Sequence, residues 1–177
     1  MAESKPLLTT AVVHRTIERM AAEIAERNET DQHVVVVGIQ RGGIHLACRL
    51  ADRLAKIWNK TVPCGVLDVS MHRDDLHKQP NVEVHPTSIP ADIMDKVVVL
   101  VDDVLFSGRT TRAALDALSD IGRPKKVQLA VLIDRGHREL PIKADFVGKT
   151  VTTSREDRIV VRWKDDGGDD SVVLEHA

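Results

Sequence analysis

The segment at 97–111, with the sequence VVVLVDDVLFSGRTT, constrains the fold more than any other part of the chain. It begins with an unbroken apolar run, which is typical of a strand buried on both faces of a parallel sheet. The run ends in two adjacent carboxylates, Asp102 and Asp103, and a hydroxyl-rich loop then leads into an amphipathic segment. The pattern predicts a buried strand that delivers two acids at its carboxyl end, followed by a helix.

Strands and helices of this kind alternate along the chain. Helices are predicted to begin near Thr9 or Thr10, near Ile44 and near Gly108, and strands are predicted at 34–39, 62–69, 97–101, 127–133, 145–148, 159–163 and 172–175. Such alternation predicts an α/β fold with a mainly parallel, twisted sheet flanked by helices on both faces. The segment 70–95 is polar and has no sustained period, and a loop of that length is usually functional or mobile. We therefore predict a flexible lid there.

Length and composition limit the class of protein. At 177 residues the chain is expected to form one domain over 1–177. Its net charge of −2 means that nucleic-acid binding would need a local basic patch. No apolar run approaches the ~18 residues of a membrane span, and the N-terminal residues lack the pattern of a signal peptide. We expect a cytoplasmic protein with no membrane partner.

Cysteine and histidine spacing gives no sign of a metal site. The two cysteines, Cys48 and Cys64, lie in an apolar helical pattern and an apolar strand pattern, so we expect buried, reduced thiols. The eight histidines are scattered and show no spacing typical of zinc ligands.

Polar, glycine-containing loops follow three of the predicted strands, at 40–43, 102–111 and 134–138. Ligands of parallel α/β sheets bind beyond the carboxyl ends of the strands. We therefore expect the three loops to converge on one crevice.

The loop at 107–111 has the composition of an anion site. Free amides and the N-terminus of a helix both favour phosphate. The loop contains three hydroxyl donors, a glycine that permits close backbone approach, and an arginine that either adds charge or points to solvent. In chain order these residues are Ser107, Gly108, Arg109, Thr110 and Thr111. Asp102 and Asp103 can each accept a hydroxyl hydrogen bond, which suits a ribose diol. The alternative is a solvated, capped turn. Two acids directly after a buried strand fit that alternative less well than a binding site.

This order of features resembles the phosphoribosyl diphosphate (PRPP) motif of the type I phosphoribosyltransferases. Neither a Walker loop nor a dinucleotide-binding glycine pattern is present. The resemblance extends to the PyrR family over roughly residues 9–164, through VVVVGIQRGG, HRDDL, VDDVLFSGRTTRAALDAL, and GRPKKVQLAVLIDRGHRELPIKADFVGK with the following TS. Members of that family are uracil phosphoribosyltransferases. In many bacteria they also regulate pyrimidine genes by binding the leader RNA of the pyr operon.

The resemblance implies a type I phosphoribosyltransferase fold with a small hood region, and it assigns roles to residues. Asp102 and Asp103 would hold the ribose hydroxyls, and 107–111 the 5′-phosphate. Mg²⁺ would bind through the substrate, with Asp102 or Asp103 as possible ligands. Asp103 is also a candidate for proton transfer at the base.

The resemblance also assigns the remaining loops. The diphosphate loop would be Gln40, Arg41 and Gly42; the lid would carry Arg73, Asp74 and Asp75, with Arg73 as a catalytic candidate; and the base would lie near Ile133, Asp134 and Arg135. Taken alone, the residues at 40–42 indicate a tight turn, and those at 73–75 indicate a charged loop tip. Beside a PRPP site, they suit a leaving diphosphate and a lid that excludes water.

The expected partners are PRPP, uracil, UMP or UTP, diphosphate, pyr leader mRNA, and further copies of the chain in a homodimer or a higher homo-oligomer. The basic residues that the resemblance places on an RNA surface are Arg19, Arg27, His137, Arg138, Lys143 and Lys149. Charge alone favours solvated faces, because acidic residues lie among them. Two other functions stay open at this point: a purine phosphoribosyltransferase that uses the same PRPP motif, and a non-catalytic regulator that senses nucleotides.

The chain departs from the family pattern at three places. Gln40 replaces a threonine before Arg-Gly, Met71-His72 replaces a leucine-tyrosine pair, and Phe106 stands where tyrosine is usual. The missing tyrosine hydroxyls bear on lid closure and turnover, and they leave the acids and the phosphate loop in place.

Overall fold

The computed structural model describes residues 4–29, 33–78 and 81–177. The strands and helices, in chain order, are β1 (Ser4–Leu8), α1 (Thr10–Arg27), β2 (Val34–Ile39), α2 (Gly43–Trp58), β3 (Cys64–Leu67), β4 (Val97–Leu105), α3 (Arg109–Ile121), β5 (Lys126–Asp134), β6 (Phe146–Thr150), β7 (Arg158–Arg162) and β8 (Ser171–Glu175). Three short 3-10 turns lie at Ser70–His72, Leu76–Lys78 and Lys164–Asp166.

The predicted α/β fold is confirmed. Five strands form a parallel sheet in the order β3-β2-β4-β5-β6. One apolar core fills the face covered by α1 and α2, and a second fills the face covered by α3. Burial on both faces explains why the central strands have continuous apolar sequences. In the described ranges, no helix is both long and apolar enough to cross a membrane.

The strand that carries the acids is longer than its apolar run suggested. β4 continues to Leu105 because its pairing with β5 extends through Asp102↔Val131 and Leu105↔Asp134. The two acids therefore lie within the last part of a paired strand, where the sheet determines their directions.

A second sheet, antiparallel and three-stranded in the order β1-β8-β7, forms the small hood region. The turn between β7 and β8 is acidic, with the sequence DDGGDD at 165–170. β1 was not predicted, because its sequence SKPLL contains a proline and its only strand partner, β8, lies at the other end of the described chain.

The buried stripe of α2 continues from Leu54 to Trp58 at i,i+4 spacing, which leaves Ile57 51% exposed. The expectation that both thiols are buried was wrong for one of them. Cys48 is exposed, since it lies on the side of α2 away from Leu46 and Leu50, which face the core.

The buried carboxylate of Asp170 ties the hood to the helices. One of its oxygens lies 2.7 Å from His14 Nε2 and 2.9 Å from Arg49 Nη1, and the other accepts a hydrogen bond from the Lys164 amide at 2.8 Å. Burial alone would raise the pKa of Asp170, but the hydrogen bonds from Lys164 and His14 and the ion pair with Arg49 outweigh burial, so the pKa is lowered. The ionised form therefore stabilises the folded state.

Replacement of Asp170 by asparagine is expected to lower the free energy of unfolding by about 2 kcal/mol at neutral pH, because charged hydrogen bonds are lost from a buried position. A carboxylate with a lowered folded-state pKa contributes stability above its unfolded value of about 3.9, and that stability is lost as the pH falls below it. Urea unfolding at neutral and acid pH measures both effects. The matched control is Asp169→Asn, at the exposed neighbouring position. Equal urea midpoints for the two variants would contradict the assignment.

Candidate active site

The acidic pair differs in burial. Asp102 is 8% exposed, and its Oδ1 accepts a hydrogen bond from the Asp103 amide at 2.9 Å. Burial, and next the neighbouring Asp103 carboxylate, raise the pKa of Asp102 well above its usual range. Asp103 is half-buried, and its Oδ1 accepts from the Val104 amide at 2.7 Å. The pair therefore offers one inward, readily protonated acid and one that faces the neighbouring loop.

The loop at 40–43 approaches these acids closely. A Cβ atom on Gly42 would lie 2.4 Å from Asp103 Oδ2, and one on Gly43 would lie 2.1 Å from the Val101 carbonyl oxygen. Position 43 admits only glycine because backbone blocks it, whereas a side chain at position 42 would displace the Asp103 carboxylate. The peptide bond between Gln40 and Arg41 is cis. The predicted diphosphate loop and the acidic pair therefore form one continuous surface.

The segment 106–108 leads from β4 into α3. Gly108 has φ 92°, in the left-handed region that glycine adopts readily, and α3 begins at Arg109. The Glu139 and Leu140 amides donate to the Ser107 carbonyl at 2.9 and 3.2 Å and hold the loop from the β5 side. The arrangement aims the first turn of a helix at a cavity, as an anion site requires.

That cavity has a volume of about 590 Å³. Its lining comprises the predicted lid residues, the acid Asp102, the end of β4 and the predicted phosphate loop: Arg73, Asp74, Asp75, Lys78, Asp102, Val104, Leu105, Phe106, Ser107, Gly108, Arg109, Thr110, Thr111 and Glu139. A second cavity of about 330 Å³ is lined by Gln40, Arg41, Asp68, Ser70, Arg73, Asn81, Val82, Glu83 and His85. Arg73 lines both cavities and so connects the two regions.

The segment that carries Arg73 lies against α3, with contacts from its first turn to its last. Arg109 donates to Asp74 Oδ2 at 2.6 Å and to Glu139 Oε2 at 2.8 Å, so its charge is engaged by two carboxylates. Arg112 donates to the His72 carbonyl at 3.0 Å, and His72 Nε2 lies 2.7 Å from Asp120 Oδ2. The contacts place the predicted lid directly over the predicted phosphate loop.

Two arginines of the site are held by nearby acids. Arg73 makes a two-pronged contact with Asp75, with both distances at 2.8 Å. Arg41 pairs with Glu83 and lies 3.3 Å from His85 Nε2. An incoming polyanion would compete with these carboxylates for the guanidinium groups.

The predicted base region contributes little side-chain surface. Ile133 is fully buried in the apolar core. Asp134 accepts from the Gly136 amide at 3.0 Å and from Arg138 Nη2 at 2.6 Å. Burial alone would raise the pKa of Asp134, but these hydrogen bonds outweigh it and lower the pKa. Recognition of a base by this strand end would therefore depend on backbone groups.

Arg135 is buried and stacks on Phe106, with Cζ 4.3 Å from the ring centroid. Its Nε donates to Thr153 Oγ1 at 3.2 Å and its Nη2 to the Ser154 carbonyl at 2.8 Å. Burial lowers the pKa of Arg135, although Asp157 partly opposes the shift. The stack fixes Phe106, whose ring lines the main cavity, against the end of β5.

The residues predicted for an RNA surface divide into two groups. Arg138 donates to the carbonyls of Phe106 at 2.9 Å and Ile142 at 2.8 Å besides Asp134, and His137 Nε2 lies 2.7 Å from the Thr153 carbonyl. These two residues hold loops together. The others lie on α1, on β6 and just before β6, with exposed side chains: Arg19, Arg27, Lys143 and Lys149.

Sequence reasoning did not assign Lys78 or Glu139 to the site. Lys78 belongs to the same polar segment as Arg73, and Glu139 follows directly after the loop predicted at 134–138. Extending both predicted loops by a few residues would have included them. Within the described ranges, no group of three or more histidine, cysteine or acidic residues forms a ready-made metal site.

The comparisons with known proteins agree with this geometry. A profile of the phosphoribosyl transferase domain matches residues 7–165. The bifunctional protein PyrR of Roseiflexus sp. is 56% identical, covering 96% of this chain and 94% of that protein. PyrR of Alkaliphilus metalliredigens is 54% identical, with 96% and 93% covered.

A solved hypoxanthine phosphoribosyl transferase of Trypanosoma cruzi superposes with a TM-score of 0.74 at 19% identity, covering 99% of this chain and 92% of that one. That identity supports the fold alone. The domain match and the two close relatives show more: the chain belongs to the phosphoribosyltransferase family and, within it, to the PyrR proteins.

Proposed function

We propose that this protein transfers the phosphoribosyl group of PRPP to uracil, which yields UMP and diphosphate, and that it also regulates pyrimidine genes by nucleotide-dependent binding to pyr leader RNA. The observation that carries the proposal is the acidic pair at the end of β4, which lies between a helix N-terminus and a glycine loop in a PyrR-like chain. This arrangement suits a ligand with a phosphate at one end, a diol in the middle and a diphosphate at the other end.

The 5′-phosphate would bind the amides and hydroxyls of 107–111, and the ribose hydroxyls would donate to Asp102 and Asp103. The diphosphate would lie towards Arg41, with Arg73 bridging the two cavities. Oxygen donors of this kind suit Mg²⁺, which binds mainly through substrate and water. Asp103, which is half-exposed beside the glycine loop, is the better protein ligand, and the ion would neutralise diphosphate as it leaves.

In the reaction, the bond from C1′ to the diphosphate oxygen breaks, positive charge develops on the ribose, and a uracil nitrogen forms the new bond and loses its proton. The protein contributes by positioning the two substrates and by placing charge where it develops. The carboxylates of Asp102 and Asp103 would lie on the ribose side, where they would stabilise an oxocarbenium-like state. Closure of the segment 70–95 would exclude water from that state.

The double substitution Asp102→Asn and Asp103→Asn is expected to abolish UMP formation and to leave the fold intact, because the change removes two charges without removing side-chain volume. Formation of labelled UMP from labelled uracil, PRPP and Mg²⁺ measures the first effect, and circular dichroism measures the second. Asp169→Asn is the control for loss of an exposed charge and should retain full activity. Normal turnover by the double variant would overturn the site assignment.

The pH dependence of kcat/KM for PRPP should show an acid limb whose midpoint lies above the usual aspartate value of about 3.9. Because Asp102 is buried, it takes up a proton at a higher pH than an exposed acid does. Its neutral form binds ribose hydroxyls and cations less well than the carboxylate, so activity falls as the pH falls. Asp103→Asn removes the neighbouring charge and should shift the limb to lower pH in whatever activity remains. A limb that is unchanged in this variant would show that another group titrates.

For the RNA function, the exposed basic residues of α1 and β6 are the sites to test. Arg27→Glu together with Lys149→Glu should weaken binding of pyr leader RNA. The dependence of the binding constant on salt concentration should fall by the amount expected for about one lost phosphate contact for each residue. Filter binding at several salt concentrations measures this, with Lys56→Glu and Lys126→Glu together, at exposed positions on α2 and β5, as a control with the same change of charge. Both variants should keep uracil transfer. RNA binding that survives unchanged would contradict this surface, and RNA binding by a wild-type protein that makes no UMP would favour the pure regulator.

The prediction of a homodimer or a higher homo-oligomer stays a prediction. Five large apolar side chains are exposed among the described residues, namely Ile57, Met71, Val84, Met94 and Ile121, and such side chains are candidates for contacts between subunits.

A further inference from the structure

The two cysteines of the chain, expected from the sequence to be separate buried thiols, lie side by side. Cys48 Sγ and Cys64 Sγ are 3.4 Å apart, although α2 carries the first and the start of β3 carries the second. Cys48 is exposed and Cys64 is partly buried against the core beneath α2. The pair therefore lies at the seam between a helix and an edge strand, with one sulfur open to solvent.

The geometry is close to what a covalent link needs. Disulfide sulfurs are about 2.0 Å apart, so the two atoms must approach by roughly 1.4 Å to form the bond. In the parallel sheet β3 pairs with β2 alone, and on its other side Val66 forms a single antiparallel bridge with Ser88. Neither thiol belongs to the cavities of the candidate active site.

We propose that Cys48 and Cys64 form an oxidative modification site, in which a peroxide converts the thiol pair into an intramolecular disulfide that links α2 to β3.

The chemistry divides between the two sulfurs. The Cys48 thiolate attacks one peroxide oxygen; a sulfur–oxygen bond forms, the oxygen–oxygen bond breaks and hydroxide leaves, so Cys48 becomes a sulfenic acid while the peroxide is reduced. The Cys64 thiolate then attacks the Cys48 sulfur; a disulfide forms, and the hydroxide that leaves takes up the proton lost by Cys64 as water. Each disulfide consumes one molecule of hydrogen peroxide and releases two molecules of water, so no other reductant or oxidant is needed.

The order of reaction follows from exposure. Peroxide reaches Cys48 first, because that thiol is open to solvent. Burial, followed by the hydrogen bond and charge of Cys48, raises the pKa of Cys64 to about 12. Closure of the disulfide should therefore be the slower step at neutral pH, and it should accelerate as the pH rises because more Cys64 is ionised.

The link would close residues 48–64 into a loop and restrict the unfolded chain. A loop of about this length stabilises a protein mainly by reducing the entropy of its unfolded state, so oxidised protein should melt about 5 °C or more above reduced protein. The region that gains most is the α2–β3 seam, because on its outer side β3 is held only by the bridge between Val66 and Ser88 among the described residues.

The test treats the full, reduced chain with hydrogen peroxide and follows it by intact mass, by non-reducing peptide mapping and by thermal unfolding. The expected result is a monomeric chain lighter by two hydrogens, with one peptide pair joined through Cys48 and Cys64 and a raised melting temperature that dithiothreitol reverses. Cys64→Ser should instead stop at a Cys48 sulfenic acid that a dimedone probe traps, and Cys48→Ser should keep a free thiol.

Three results would overturn the proposal. They are two free thiols after treatment that oxidises a small-molecule thiol, over-oxidation of Cys48 with Cys64 still free, and disulfides that form only between chains. The mass measurement on the unaltered sequence decides among these results even if a serine variant fails to fold.

Discussion

The close packing of the 40–43 loop on the end of β4 is the contact on which the candidate site depends. Parallel pairing of β2 and β4 brings Gly38 opposite Val101, so the two strands end at the same edge of the sheet. Because Gly42 has no side chain, the Asp103 carboxylate can occupy the space beside it. The predicted diphosphate loop and the acidic pair are thereby brought into direct contact.

The charges of this site are balanced internally in the described structure. Arg109 is held by Asp74 and Glu139, and Arg41 and Arg73 each have an acidic partner. A site that binds a polyanion needs cations in place beforehand, and carboxylates on the segment 70–95 keep them ordered. Substrate phosphates would replace those carboxylates, so binding of the substrate and rearrangement of this segment are coupled in the proposed mechanism.

Local patterns in the sequence were sufficient for the central sheet. Strands buried on both faces have continuous apolar runs, and α1, α2 and α3 each keep one apolar stripe, so periodicity predicted them. β1 escaped prediction because its strand pairing is with a segment far along the chain and its sequence carries a proline. The extension of β4 beyond Val101 likewise depends on pairing with β5, which no local pattern reveals.

The candidate site was predictable where function follows from position at a strand end, as for Asp102, Asp103 and the 107–111 loop. Residues whose roles arise from tertiary contacts were not. The guanidinium group of Arg138, for example, donates to the carbonyls of Phe106 and Ile142, and no local pattern in the sequence indicates these bonds. The pairing of Cys48 with Cys64 is of the same kind, because it depends on how a helix lies against a strand.

The central claim is that the acids and the phosphate loop serve transfer of a phosphoribosyl group to uracil. Parallel incubations with labelled uracil, hypoxanthine and guanine, each with saturating PRPP and Mg²⁺, test it most directly. The account predicts formation of UMP with release of diphosphate and no comparable product from either purine. Transfer to hypoxanthine or guanine in preference to uracil would contradict it.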